Sequence, residues 1–300
     1  MSKSILRQII ETRMPADGMI QTGIKGVQLF RATEAVPCAP AVYEPCVIAI
    51  VSGGKETILD GQRYVYDSSE YLCCPMSMPV EAGTPTASAE NPLYGVYIAL
   101  DPRLMTELAI EMEASGSRIP RAEGPPRGIR LARWDDGFLD ALLRLVQLGE
   151  NATDIAVLGG ARLRELYYAV LKGEAGAFAR EAFGPGNAIA RSIARVSSRL
   201  DAPVSIDDMA HHSGMSRAVF HRKFKQATTM SPIQFVKSMR LNNAAMKIAG
   251  GMTVSEAAMD VGYASASQFS REFKRLFGQS PRQWSDAGAR PGARRQAIAG

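Results

Sequence analysis

Between Ile206 and Trp284 the chain spells one module twice, so any fold for it must contain two copies of the same local structure. Ile206-Asp207-Asp208-Met209-Ala210 is echoed by Val254-Ser255-Glu256-Ala257-Ala258. Ser216-Arg217-Ala218-Val219-Phe220-His221-Arg222-Lys223-Phe224-Lys225 is echoed by Ser265-Ala266-Ser267-Gln268-Phe269-Ser270-Arg271-Glu272-Phe273-Lys274. Ala210 and Gly214 recur 48 residues on as Ala258 and Gly262, while Ser216, Arg222 and Pro232 recur 49 residues on as Ser265, Arg271 and Pro281. One extra residue in the second turn, near Ala264, accounts for the change of offset.

Each copy reads as helix–turn–helix. Asp207, Asp208 and Glu256 put negative charge in a first helical turn, where the helix dipole favours it. Gly214 and Gly262 suit a left-handed residue closing that helix, and Ser216 and Ser265 suit the N-cap of the next. In the second helix Phe220 and Phe224, like Phe269 and Phe273, stand four apart and form one apolar stripe assigned to core. The opposite face carries Ala218, His221, Arg222 and Lys225 in copy one, and Ser267, Ser270, Arg271 and Lys274 in copy two. A basic face on one such helix is most often only a solvated face. The duplication, with shared caps and a shared Ser-Pro after each second helix, points instead to a pair of helices built for a major groove.

These residues resemble the DNA-binding domain of the AraC/XylS family of transcription regulators. Copy two carries the likeness most densely: Gly262-Tyr263, Ser265, Ser267, Gln268-Phe269-Ser270-Arg271, Phe273-Lys274-Arg275, Phe277-Gly278, Ser280-Pro281 and Trp284. Copy one departs from the family pattern at Thr229, where the family usually has glycine, so the end of that helix is expected to be strained or closed differently.

Charge is shared unevenly along the 300 residues, a length that suggests two domains. Residues 1–186 hold 18 Lys and Arg against 23 Asp and Glu, net −5, whereas residues 187–286 hold 14 against 7, net +7. The remaining residues, 287–300, add three arginines. A basic C-terminal part joined to an acidic partner domain is the footprint of nucleic-acid binding. Met1-Ser2-Lys3-Ser4 leads into no long apolar run, and no stretch approaches 18 apolar residues, so neither a secretory leader nor a membrane span is expected. Cys38, Cys46, Cys73 and Cys74 lack zinc-ligand spacing and read as reduced thiols in a cytoplasm.

The N-terminal part opens with a short helix, Ile5 to Thr12, and is strand-like from Val27 to Leu100. Val47 to Val51 is an apolar run of strand length. Thr57-Ile58-Leu59 and Tyr64-Val65-Tyr66 form a hairpin about Asp60-Gly61, and Tyr71 to Cys74 and Tyr94 to Leu100 add strands. Short strands with frequent turns make a sandwich or barrel. Gly54-Lys55, Gly61, Tyr64, Tyr66, Tyr71-Leu72, Pro79-Val80, Pro92, Tyr94 and Leu100-Asp101 resemble the cupin-like N-terminal domain of one AraC branch, which implies a β-barrel with a small-molecule pocket. Helices follow, from Asp101 to about Met112, Asp135 to Leu148 and Leu158 to Leu171, with residues 114–130 read as loop. In the resembled family such helices also pair subunits. Gly173, Gly176 and Gly184-Pro185-Gly186 mark a linker. A helix from Asn187 to Leu200 then opens the second domain, and one from Ser231-Pro232 to about Ala249 joins the two copies.

The expected protein is therefore of α+β class in two domains. Residues 1–183 form a cupin-like β-barrel with flanking helices, residues 187–286 an all-α double helix–turn–helix, and residues 287–300 a disordered tail. Arg222 and Arg271 can reach guanine O6 and N7 bidentately, with phosphate as their alternative target. His221, Ser267 and Ser270 offer single hydrogen bonds, and Ala218 and Ala266 offer contact with a thymine methyl. Arg217, Lys225, Lys274 and Arg275 complete the basic face as backbone-positioning groups. The resemblance implies promoter DNA, RNA polymerase and a small-molecule effector as partners, a homodimer, and activation as the usual mode; with no histidine in the barrel region, no cofactor or metal is expected. In the barrel Tyr64, Tyr66 and Tyr71, with Cys73, are candidate effector contacts or equally plugs of the core. Cys73 and Cys74 are neighbours on a strand, so only one of them can face a cavity. A thiol-based electrophile or redox sensor at Cys73 or Cys74 is one alternative. A cupin-type enzyme is another, set against the placing of His211, His212 and His221 outside the barrel region.

Overall fold

A computed structural model describes residues 2–115, 128–149, 151–184 and 187–288. Most of the loop expected at 114–130, the Pro185-Gly186 part of the linker, and residues 289–300 of the expected tail lie outside the described residues. Helix α1 (Ser2–Arg13) precedes nine strands: β1 (Gly18–Gln21), β2 (Val27–Ala32), β3 (Val36–Tyr43), β4 (Cys46–Ser52), β5 (Gly54–Leu59), β6 (Gln62–Asp67), β7 (Glu70–Cys74), β8 (Met78–Thr84) and β9 (Leu93–Ala99). Helix α2 (Pro102–Ala114), strand β10 (Arg130–Arg133) and helices α3 (Asp136–Gln147), α4 (Ala152–Lys172) and α5 (Gly176–Phe183) follow.

The strands build two antiparallel sheets, one of six strands ordered β1-β2-β9-β4-β7-β10 and one of four ordered β3-β8-β5-β6. The sheets face each other across Phe30, Tyr43, Ile48, Tyr66, Leu72 and Met78, so the cupin-like domain is an open two-sheet jelly roll and not a closed barrel. The period of two along a strand decides what lies on each face. In β4, Val47, Ala49 and Val51 turn to the helices, while Cys46, Ile48 and Ile50 turn to the second sheet. That double burial is why Val47 to Val51 reads as an unbroken apolar run. The β5–β6 hairpin turns at Asp60 and Gly61 with φ of 49° and 77°, the pair of positive values that a two-residue Asp-Gly turn supplies.

Helices α1, α3 and α4 cover the other face of the large sheet with Leu6, Ile10, Phe138, Leu142, Leu166 and Val170, all buried. Two elements here escape the sequence reading. Strand β10 extends the large sheet beside β7, although its four residues carry little alternation. Helix α5 occupies part of the segment read as linker, burying Phe178 and Phe183. Its Gly176 is there for close packing: a Cβ would lie 2.1 Å from the Leu171 carbonyl oxygen.

The C-terminal part is helical throughout its described residues: α6 (Ala188–Ser197), α7 (Ile206–His212), α8 (Arg217–Thr228), α9 (Pro232–Ala249), α10 (Val254–Asp260), α11 (Ala266–Phe277) and α12 (Pro281–Gly288). The duplicated residues perform duplicated local tasks. Ser205 and Thr253 cap α7 and α10, Ser216 and Ser265 cap α8 and α11, and Gly214 and Gly262 close the intervening turns at φ of 64° and 82°. Ser231 with Gln234, and Ser280 with Gln283, form the same reciprocal cap after each module. Phe224 packs against both Phe220 and Phe235 of α9, while Phe269 and Phe273 pack between Tyr263 and Trp284. Each buried phenylalanine contributes about 1.5–3 kcal/mol through removal of apolar area from water. Helix α9 also packs on β3 and β8, so the apolar layer between the sheets continues into the first helix–turn–helix.

Candidate nucleic-acid interface

Burial of the aromatic stripe fixes the rotation of α8 and α11 about their own axes. With Phe220 and Phe224 inside, Arg217, Ala218, His221, Arg222 and Lys225 are all exposed. With Phe269 and Phe273 inside, Ala266, Ser267, Arg271, Lys274 and Arg275 are exposed and Ser270 is half-buried. Every residue named from sequence on these two faces thus reaches the surface of its helix, Ser270 only in part.

The charges on these faces are mostly unspent. Arg217 pairs with Asp207 at 3.1 Å, both well exposed, a pair worth at most about 1 kcal/mol and free to exchange for phosphate. Among the described residues Arg222, Lys225, Arg271, Lys274 and Arg275 make no ion pair. Helix α11 carries a side-chain tether to α9 that α8 lacks. Glu272, on its inner side, accepts from Tyr263 Oη at 2.9 Å, from Lys237 Nζ of α9 at 3.1 Å and from Gln268 Nε2 at 3.3 Å. Burial pushes the Glu272 pKa up, but those donors outweigh it and leave it below the usual carboxylate range. The matching residue of copy one is the exposed Lys223, so α8 has no such tether. About one turn along α9 from Lys237, Arg240 Nη2 donates to the Ala202 carbonyl at 2.7 Å and ties α9 to the segment leading into α7.

Sequence reasoning passed over Gln268, which is exposed at the start of α11. Aligning the copies sets it against the half-buried Val219, and that polar-for-apolar exchange is the signal that could have found it.

In the N-terminal domain the structure separates the four candidate effector residues. Tyr66 lies in the inter-sheet layer, where Tyr43 Oη, Thr57 Oγ1 and Tyr66 Oη form a chain of hydroxyls spaced 3.1 and 3.5 Å, the last a marginal contact. Tyr64 packs partly buried on the same layer, and Val65 between them is exposed, as alternation requires. Tyr71 and Cys73 do not join them: both face the helices, with Tyr71 stacked on Phe138 at 4.2 Å. The cysteine facing the second sheet is Cys74. Register decides this, because β7 pairs Leu72 with Ile48 and Cys74 with Cys46, which places those even-numbered residues inward. Cys73 and Cys74 are both fully buried, and burial raises each thiol pKa well above its ordinary value. Lys55 is also buried, and desolvation lowers its pKa to about 8. Among the described residues no group of three or more His, Cys, Asp or Glu could hold a metal ion.

Two capped helix–turn–helix units on a common strut, each presenting an open basic helix, define a DNA-binding protein of the double helix–turn–helix class. The sequence profile of the AraC-type transcriptional regulator N-terminus matches residues 23–178, and that of a helix-turn-helix domain matches residues 209–287. The chain belongs to the AraC family of transcriptional regulators. It is 33% identical to the regulatory protein SoxS of Escherichia coli (strain K12) over 90 residues, 30% of this chain and 84% of SoxS. It is 34% identical to the HTH-type transcriptional regulator MtrA of Neisseria gonorrhoeae over 97 residues, 32% of each chain. Among solved structures, ToxT from Vibrio cholerae has the same two-domain architecture, with a TM-score of 0.56 at 15% identity, covering 87% of this chain and 97% of ToxT. ToxT has also been solved bound to an unsaturated fatty acid.

Proposed function

We propose that this regulator reads a bipartite promoter site by laying α8 and α11 in successive major grooves of one DNA face. The observation that carries the reading is the matched exposure of Arg222 and Arg271 at equivalent positions of two helices whose opposite faces are locked in the core. Helix α9 has 18 residues, about 27 Å at 1.5 Å per residue, a span that suits two recognition helices roughly one DNA turn of ~34 Å apart. Arg222 and Arg271 take guanine edges and His221, Ser267 and Ser270 take single hydrogen bonds. Ala218 and Ala266 touch a thymine methyl, while Arg217, Lys225, Lys274 and Arg275 bind phosphates. Residues 187–286 act as the DNA-binding domain and residues 1–183 as the regulatory domain, joined at 184–186.

The regulatory domain answers to a small organic molecule, a reading supported by family membership and by the fatty-acid-bound structure of the fold relative ToxT. The subunit contact lies on α4 with α2, where Val157, Leu158, Tyr168 and Ile110 are exposed apolar side chains suited to a second copy. The protein works in the cytoplasm as an activator with RNA polymerase. Among the described residues no helix is long and apolar enough to cross a membrane. Selection of bound sequences from random duplexes, followed by footprinting of the full chain, tests the reading. The expected outcome is a two-part site spaced by about one turn; a single short site, or binding with no sequence preference, would sink it.

A further inference from the structure

We infer that the seam between the two domains holds a binding cavity for a compact, apolar, uncharged organic molecule, and that its occupancy sets how the DNA-binding domain is held. This inference rests on the regulator reading for its consequence, while the cavity itself is a property of the structure. The cavity has a volume of about 330 Å³. It is a cleft part open to solvent, with Pro102 and Ala194 exposed at its edge, and its volume suits a fused bicyclic ring or a branched aliphatic of similar size.

Its walls come from three places that are distant in sequence. The β-domain contributes Pro45, Pro75 and Met76 from the β3–β4 and β7–β8 turns, with Pro102 from the start of α2. Helix α5 closes one end with Phe183. The DNA-binding domain contributes the methyl groups of Ala190 and Ala194, on the turn-spaced face of α6.

The polar groups on these walls are already engaged. Thr106 Oγ1 lies 2.7 Å from the Pro102 carbonyl and 2.8 Å from that of Phe183. Asn187 caps α6 through Oδ1 and donates Nδ2 to the Glu181 carbonyl at 2.9 Å, and Ser77 donates to Glu44. Arg191, exposed at the rim, is the one charged side chain among the described lining residues. A guest is therefore selected by shape and apolar area and not by charge.

The location gives the cavity its meaning. One wall moves with the jelly roll and the other is the first helix of the DNA-binding domain, so a guest touching both binds one domain arrangement better than any in which they part. A ligand shifts such an equilibrium by its differential affinity for the two states, and the effect on DNA affinity is reciprocal.

The test uses the full chain, with 2-naphthol as probe. Calorimetry is expected to show one equivalent bound with a negative heat-capacity change. Saturating probe is expected to change affinity for the selected operator at least fivefold. Ala190→Phe and Ala194→Phe fill the cavity from α6 and are expected to weaken naphthol binding at least tenfold, with the melting temperature unchanged and the response of operator affinity to naphthol lost. Ala194→Cys provides a second reading that fills nothing: naphthol is expected to slow alkylation of the introduced thiol by iodoacetamide. No saturable binding to the wild type, or undiminished binding in both folded Phe variants, overturns the site. Alkylation of the introduced thiol at the same rate with and without naphthol does so as well. Binding without any change in operator affinity overturns the coupling. Loss of operator binding by the probe-free wild type would instead refute the regulator reading, which leaves the two failures distinct.

Discussion

Thr229→Gly is expected to stabilise this protein, although it deletes a side chain. Thr229 ends α8 at φ 69°, in the left-handed region, while its counterpart Gly278 ends α11 at φ 74°. A β-branched residue held there costs about 1–2 kcal/mol relative to glycine. The Thr229 hydroxyl is also buried without a hydrogen-bond partner, a desolvation of about 1 kcal/mol or more. Against this, glycine gains freedom in the unfolded chain, costing about 0.4–1 kcal/mol, and the threonine methyl loses its packing. The balance is a gain of about 1 kcal/mol. The backbone bond from Thr229 N to the Lys225 carbonyl, 2.9 Å, needs no side chain and survives. Urea unfolding read from Trp284 fluorescence in a Trp134→Phe background measures it, with the midpoint expected to rise at unchanged slope. Operator affinity should not move, since Thr229 lies outside the exposed basic face. A lowered midpoint would mean that Thr229 carries native packing worth more than the backbone strain, and the reasoning would fail.

Arg271→Ala should lower discrimination within one half-site by about 1–3 kcal/mol, and Arg222→Ala should do the same in the other half; equal weakening on specific and random duplexes would assign both to phosphates. Lys274→Ala should weaken all sequences alike and flatten the dependence of log K on log salt by about one unit, measured by titration at several salt concentrations. Glu272→Ala removes the acceptor shared by Tyr263, Lys237 and Gln268, and should cost about 1.5–3 kcal/mol of stability, seen in the same urea assay. The Lys55 pKa falls to about 8 on folding from an ordinary 10.5, so between these values the unfolded chain holds a proton that the folded chain lacks. Stability should therefore rise with pH across that window relative to Lys55→Met, by roughly 3 kcal/mol at most, and a flat difference would contradict it. Cys38, half-buried with its thiol pushed up to about 11 by burial and by Glu56, should be alkylated before Cys73 and Cys74, and faster as pH rises toward that value.

Local chemistry was legible in the chain without its fold. The repeat, its Ser caps, the glycines of its turns and the Phe pairs determined two helix–turn–helix units and which face of each recognition helix points outward, because period and capping are properties of a few neighbouring residues. Asp60-Gly61 determined its hairpin for the same reason, and Thr229 announced its strain by standing where its copy has glycine. The tertiary structure decided whatever depends on residues far apart in sequence. Alternation showed that Cys73 and Cys74 face opposite ways, but only the pairing of β7 with β4, and the helices stacked behind, determined that Tyr71 and Cys73 lie away from the second sheet while Tyr66 and Cys74 face it. Helix α5 was hidden by Gly173 and Gly176, whose lack of a side chain serves close packing here and reads in isolation as flexibility. The docking of α9 on β3 and β8, and the cavity where α6 meets the turns of the jelly roll, arise from surfaces of two domains meeting, and no local pattern records which surfaces those will be.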